Sequence, residues 1–119
     1  MKVLIVDDSS MSRKLVLKAL PEGFATQITQ AANGAEALDA FHDGLAEVIF
    51  LDLTMPVMDG FNTLEALKKE DANAIVIVIS ADIQPLAQER VRSLGAAAFV
   101  KKPITPEAME KALFDVGLI

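Results

Sequence analysis

Four short apolar runs punctuate this chain, and each gives way abruptly to polar residues. Val3-Leu4-Ile5-Val6 stops at Asp7-Asp8, Val48-Ile49-Phe50-Leu51 at Asp52, Val76-Ile77-Val78-Ile79 at Ser80, and Ala98-Phe99-Val100 at Lys101-Lys102-Pro103. Unbroken runs rich in Val and Ile, too short for helices, predict parallel strands buried on both faces. A fifth segment, Thr26-Gln27-Ile28-Thr29-Gln30-Ala31, alternates instead and suits a sheet edge. Between these segments apolar residues recur at helical spacing, as in Leu38/Phe41/Leu45, Ile83/Leu86/Ala87/Val91/Leu94 and Met109/Ala112/Leu113/Val116. The pattern predicts strands near 2–7, 26–31, 47–52, 74–80 and 97–100, with helices near 10–20, 34–43, 60–70, 85–94 and 106–115.

Local punctuation agrees with these boundaries. Asn33 followed by Glu36 fits a helix N-cap with an acid at the third helical position, so Asn33-Gly34 starts a helix and is not a hairpin turn. Thr105-Pro106-Glu107 sets a cap, a first-turn proline and an acid in order. Gly95 closes the fourth helix, and Pro21-Glu22-Gly23 breaks the chain after the first. Strict alternation of strand and helix with short loops predicts an α/β fold, a doubly wound five-stranded parallel sheet.

That architecture has a chemical consequence. In an open parallel sheet the carboxyl ends of the strands share one edge, and ligands bind there. Asp7, Asp8, Asp52, Ser80 and Lys102 all follow strand ends, so three acids, a hydroxyl and an ammonium converge on one rim. Unit charges about 4 Å apart interact by about 4 kcal/mol at an effective dielectric near 20, so three clustered carboxylates need cations. Lys102 supplies one; a divalent ion held by hard oxygen ligands, Mg2+ first, can supply the rest.

Composition narrows the field. At 119 residues, 52% hydrophobic and 24% charged, the chain reads as one globular domain spanning 1–119. The net charge is −6, with no Trp or Tyr and no basic stripe, which argues against direct nucleic-acid binding. No cysteine is present, excluding disulfides and thiolate metal sites. The longest apolar stretches fall far short of the roughly 20 residues that cross a bilayer. Met1-Lys2 leads into a strand without a signal-peptide pattern, so no membrane contact and a cytoplasmic location are expected.

Four motifs then stand in register: Val6-Asp7-Asp8-Ser9, Leu51-Asp52-Leu53-Thr54-Met55-Pro56-Val57-Met58-Asp59-Gly60, Ser80-Ala81 and Lys102-Pro103. In order and spacing the chain resembles, over essentially its whole length, a response-regulator receiver domain of the CheY-like type. The resemblance implies a (βα)5 flavodoxin-like fold with strand order 2-1-3-4-5. It also implies that Asp52 is the phosphoacceptor and that Asp8, Asp52 and the Thr54 carbonyl hold Mg2+, with Asp7 acting directly or through water. Ser80 and Lys102 would hold the phosphoryl oxygens, with Ala81 beside them. Phe99 would be the aromatic switch, and Pro103 would follow a cis peptide. The implied partners are a sensor histidine kinase or histidine phosphotransfer protein as donor, and a downstream protein target or fused effector as recipient. Ser80 stands where the family often has Thr, and Phe99 where it often has Tyr. Thr54 and Asp82 occupy positions that, in the family, tune loss of the phosphoryl group.

Simpler readings account for some of these residues. Asp7 and Asp8 can cap the first helix, although Ser9 and Ser10 can do so without them. Asp59-Gly60 reads as a turn and helix start. His42 is a lone histidine at a polar helix end, and Gln88-Glu89-Arg90-Val91-Arg92 a largely solvated face. The methionines read as core fillers, with Met11 exposed near the rim. Among whole-protein alternatives, an aspartyl-phosphate phosphohydrolase would need a general acid where Thr54 stands. A flavin carrier would need a phosphate loop where Asp7-Asp8 would repel it. A degenerate receiver that only docks a partner would not need the intact set of acids, Ser80 and Lys102.

Overall fold

The computed structural model describes residues 1–119. Strands β1 (Lys2–Val6), β2 (Gln27–Ala31), β3 (Val48–Leu51), β4 (Ile75–Ser80) and β5 (Ala98–Lys101) alternate with helices α1 (Ser10–Ala19), α2 (Gly34–His42), α3 (Gly60–Lys69), α4 (Pro85–Ser93) and α5 (Pro106–Asp115). All strand pairs are parallel, in the order β2-β1-β3-β4-β5. This is the flavodoxin-like α/β fold that the alternation and the motifs implied.

The unbroken apolar runs are explained by two cores, one on each face of the sheet. Leu4, Val6, Ile49, Leu51, Val76 and Val78 point to one face and pack with Ala37 and Ala40 of α2, Leu64 and Leu67 of α3 and Val91 of α4. Their neighbours Val3, Ile5, Val48, Phe50, Ile77 and Ile79 point to the other, against Val16 and Ala19 of α1 and Met109, Ala112 and Leu113 of α5. Successive strand residues face opposite ways, so a strand covered by helices on both sides must be apolar throughout. Burying each large side chain of this kind stabilises the fold by about 1.5–3 kcal/mol. The edge position of β2 leaves Gln27, Ile28 and Gln30 exposed.

The capping signals act as read. Asn33 Oδ1 accepts from the Glu36 amide at 2.9 Å while Glu36 Oε1 accepts from the Ala32 amide at 3.0 Å. Thr105 Oγ1 accepts from the Ala108 amide. Ser9, not Asp7 or Asp8, caps α1, its Oγ accepting from the Ser12 amide. Gly95 ends α4 at φ +101°, a conformation that side chains resist.

One expectation needs correction. The stripe Ile83/Leu86/Ala87/Val91/Leu94 does not pack as a unit: Ile83 lies in the loop before α4, and Leu86 is 77% exposed. Only Val91 of α4 is fully buried, with Leu94 beside it in the core. Because α4 starts at Pro85, its inward row is 87, 91 and 94, and Leu86 lies one residue, about 100°, off it. The helix is further held by Arg90, whose guanidinium stacks 4.2 Å above the Phe61 ring of α3, and by Lys68, which donates to the Ser93 carbonyl.

Candidate functional site

Each polar residue that ended a strand run sits where the hydrogen-bonded ladder stops. The Asp7 amide still donates to the Ala31 carbonyl, the Asp52 amide to Val6 and the Lys102 amide to Ser80. The backbone of each is therefore fixed by the sheet while its side chain emerges at the carboxyl edge. Asp7, Asp52 and Ser80 are buried there, Lys102 is half-buried and Asp8 is exposed.

Carboxylate oxygens of Asp7, Asp8 and Asp52 lie within 4.8 Å of one another. Lys102 reaches in from the β5–α5 loop, with Nζ 2.7 Å from Asp7 Oδ2 and 3.4 Å from Asp52 Oδ1. Asp7 is anchored a second way: its Oδ1 accepts from the Ser9 amide, and its carbonyl accepts from the Arg13 guanidinium of α1. Ser80 Oγ accepts from the Asp82 amide at 3.0 Å. The Lys102–Pro103 peptide is cis.

The electrostatics follow from this crowding. Burial, and then the negative charge of Asp7, hold the Asp52 carboxyl above the ordinary carboxylate range, although Lys102 pulls it down. Burial alone would lower the Lys102 ammonium, but its hydrogen bond to Asp7 and the charges of Asp52 and Asp7 outweigh that and raise it. One ammonium thus leaves a net negative cluster. Its donors are all hard oxygens, closely spaced, with one carboxylate open to solvent. The residues fit a small divalent cation such as Mg2+.

Other expected residues are less intimate with the cluster. Thr54 is exposed in the loop after Asp52. Ala81 lines, with Ser12, Leu15, Val16, Ile79, Lys102, Pro103 and Ile104, a mostly apolar cavity of about 350 Å³ beside the acids. Phe99 is half-buried on β5, opposite Val78, with its ring against the α2/α3/α4 core. Met11 is exposed, and His42 Nε2 lies 2.6 Å from Glu70 Oε1 on the surface.

Two features of the site were not evident from the sequence. Gly60 is more than a turn residue: a β-carbon on it would lie 2.2 Å from the Asp52 carbonyl oxygen and 2.7 Å from Leu53 Cα. Its amide donates to Leu53, and Asp59 caps α3 above it, so α3 begins directly against the Asp52 backbone. Val57, in the same loop, is 86% exposed at φ +68°, a left-handed conformation costly for a β-branched residue.

Comparison with known proteins accords with this geometry. The chemotaxis protein CheY of Thermotoga maritima is 31% identical over 116 residues, covering 98% of this chain and 97% of that one. CheY of Bacillus subtilis is 30% identical over 112 residues, covering 94% and 93%. Among solved structures, a CheX–CheY–BeF3–Mg2+ complex from Borrelia burgdorferi superposes with a TM-score of 0.87 at 33% identity, over 96% of this chain and 87% of that chain. The family model described as the response regulator receiver domain matches residues 3–114, and the chain belongs to that family.

Proposed function

We propose that this receiver domain is a phosphorylation-driven switch in two-component signalling, with Asp52 as the group that is phosphorylated. The observation that carries the reading is the buried Asp52 carboxylate, clustered with Asp7 and Asp8 and paired with Lys102, which bridges it to Asp7. An Asp52 oxygen attacks the phosphorus of a phosphoimidazole. A P–O bond forms, the P–N bond breaks, and the leaving imidazole takes up a proton. The donor is the phosphohistidine of a sensor kinase or phosphotransfer protein. Mg2+, held by Asp7, Asp8, Asp52 and the Thr54 carbonyl, supplies charge neutralisation for the phosphoryl oxygens. The BeF3 and Mg2+ of the solved relative, 33% identical, support that reading.

Within the chain, Lys102 is positioned to move from the carboxylates to a phosphoryl oxygen. Ser80 Oγ carries a hydroxyl proton free to be donated to another, and Ala81 leaves room beside it. Drawing Ser80 toward the new anion opens space that Phe99 fills, and the surface formed by α4, β5 and α5 changes for a downstream target or a fused effector. No general acid stands at Thr54, so the chain is a signalling domain that catalyses only its own phosphorylation and dephosphorylation, not an enzyme acting on other substrates. The acidic surface supports protein rather than nucleic-acid partners. No helix is long and apolar enough to cross a membrane, and the cysteine-free sequence suits the cytoplasm.

Incubation with acetyl phosphate, read on a phosphate-affinity gel, tests the proposal. A shifted band that needs Mg2+ and is absent from Asp52→Asn is expected. No shift in the wild type, with Mg2+ binding shown separately, would leave a docking module as the reading.

A further inference from the structure

Asp8 is the one acid of the cluster that no cation holds. Asp7 and Asp52 are both paired with Lys102, whereas Asp8 is exposed and belongs to no ion pair. Its carboxylate is therefore placed through its backbone. Three hydrogen bonds enclose that backbone. Asp7 Oδ1 accepts from the Ser9 amide at 2.9 Å, and the Ser9 carbonyl accepts from the Arg13 amide at 3.1 Å. The Arg13 guanidinium closes the ring by donating back to the Asp7 carbonyl.

Arg13 is the unusual member of this ring. It is half-buried and joins no ion pair, so its full positive charge is aimed at a carbonyl although carboxylates crowd the same rim. Its Nε meanwhile donates to Gln30 Oε1 at 2.8 Å, so the guanidinium fork joins the end of β1 to the edge strand β2. A charged donor makes a stronger hydrogen bond than a neutral one, and a planar fork serves two acceptors at a fixed angle. The carbonyl it holds belongs to the peptide that links Asp7 to Asp8. Because that unit is planar, fixing its oxygen also fixes the direction in which the chain leaves for Asp8.

We propose that Arg13 is a positioning residue for the metal site, with Gln30 holding its guanidinium in place. It acts through the Asp7–Asp8 peptide, setting Asp8 against Asp7 and Asp52. The inference rests on the reading of these three acids as an Mg2+ site. Arg13 has two effects on such a site, and they are opposite in sign. Its charge repels a divalent cation, so by Coulomb's law alone its removal strengthens binding. Its placement of Asp8 favours the cation, and partners that orient metal ligands contribute about 10–100-fold to affinity. The repulsion acts at a rim open to solvent and is screened by salt, whereas the placement is not, so placement is the larger effect.

Isothermal titration calorimetry of Mg2+ into the unphosphorylated protein, at neutral pH and moderate salt, tests it. R13M should bind Mg2+ about tenfold more weakly than wild type. R13K keeps the charge but not the fork, and should also bind more weakly than wild type. Q30A, at an exposed edge position, should weaken binding in the same direction with every charge intact. Urea unfolding in chelator checks that each variant is folded. A purely structural role would lower stability there and leave the Mg2+ affinity of the folded protein unchanged. R13M that binds Mg2+ as tightly as wild type, or more tightly, overturns the inference. So does full recovery of affinity in R13K, or a Q30A variant identical to wild type. A wild type that takes up no Mg2+ would instead overturn the metal site itself, and the role of Arg13 with it.

Discussion

Lys102 lies nearer to Asp7 than to Asp52, at 2.7 Å against 3.4 Å. The ammonium therefore does more than partner the proposed phosphoacceptor; it holds two buried acids together across the β1–β3 edge. In the unphosphorylated chain it is the only ammonium or guanidinium paired with either carboxylate.

Lys102→Met should accordingly cost stability as well as phosphorylation. Removing one partner of a buried ion pair strands the other, here two carboxylates, and a loss of about 2–4 kcal/mol is expected without metal. Because folding raises the Lys102 pKa, its contribution is complete below the ordinary lysine value and fades as pH rises through the higher folded one. Urea unfolding with and without Mg2+ checks this. The variant should recover most of its deficit when Mg2+ is added, and the gap to wild type should narrow at strongly alkaline pH.

Asp52→Asn should have the opposite sign. The folded protein holds the Asp52 carboxyl above its ordinary pKa, mainly through burial and then through Asp7. Such a group favours folding while protonated, below the ordinary carboxylate value, and that benefit is lost as pH rises through the folded value. At neutral pH and without metal, the amide should therefore be more stable than the carboxylate, by on the order of 1 kcal/mol. The gain should vanish as pH falls below the ordinary carboxylate range. Thermal unfolding in chelator across that range decides it; a less stable variant at neutral pH would contradict the electrostatic account.

Much of this was legible in the sequence because it is local or periodic. An apolar run ending in a polar residue marks both the strand and the edge where its side chain emerges, so the sequence alone sets Asp7, Asp52 and Ser80 on one rim. Asn33 with Glu36, and Thr105 with Ala108, are short-range pairs whose spacing fixes their partners. What was not legible is non-local. Nothing in the sequence pairs Arg13 with the Asp7 carbonyl, since a lone helix cation has no signature of its target. Ile83 and Leu86 matched the helical period but lie outside the buried row, because periodicity does not fix where a helix starts. Asp59-Gly60 resembles any turn, and only the packing of α3 against Asp52 reveals why the glycine is required.

Gly60→Ala follows directly. A methyl group 2.2 Å from the Asp52 carbonyl oxygen meets backbone, which cannot rotate away as a flexible side chain could. Either α3 or the Asp52 loop must shift, at a cost of about 2–3 kcal/mol. The expected result is a lower unfolding midpoint together with slower labelling by acetyl phosphate. Since that loop carries the proposed phosphoacceptor, loss of stability without any change in labelling rate would show that α3, not the Asp52 loop, absorbs the clash.

Val57 presents the reverse case, a residue whose replacement should stabilise the fold. Its backbone is left-handed at φ +68° and its side chain is 86% exposed, so the branched β-carbon adds strain and gains almost no burial. The left-handed region costs roughly 1–2 kcal/mol for an ordinary residue, and asparagine tolerates it better than most. Glycine would remove the strain too, but would also enlarge the entropy of the unfolded chain. Val57→Asn should therefore raise stability by about 1 kcal/mol without altering the Asp52 cluster. Chemical denaturation measures the gain, and acetyl phosphate labelling at an unchanged rate would show that the strain at Val57 is not needed for chemistry. A variant that is more stable but labels more slowly would instead mean that the strained loop helps to hold Asp52 in its reactive position.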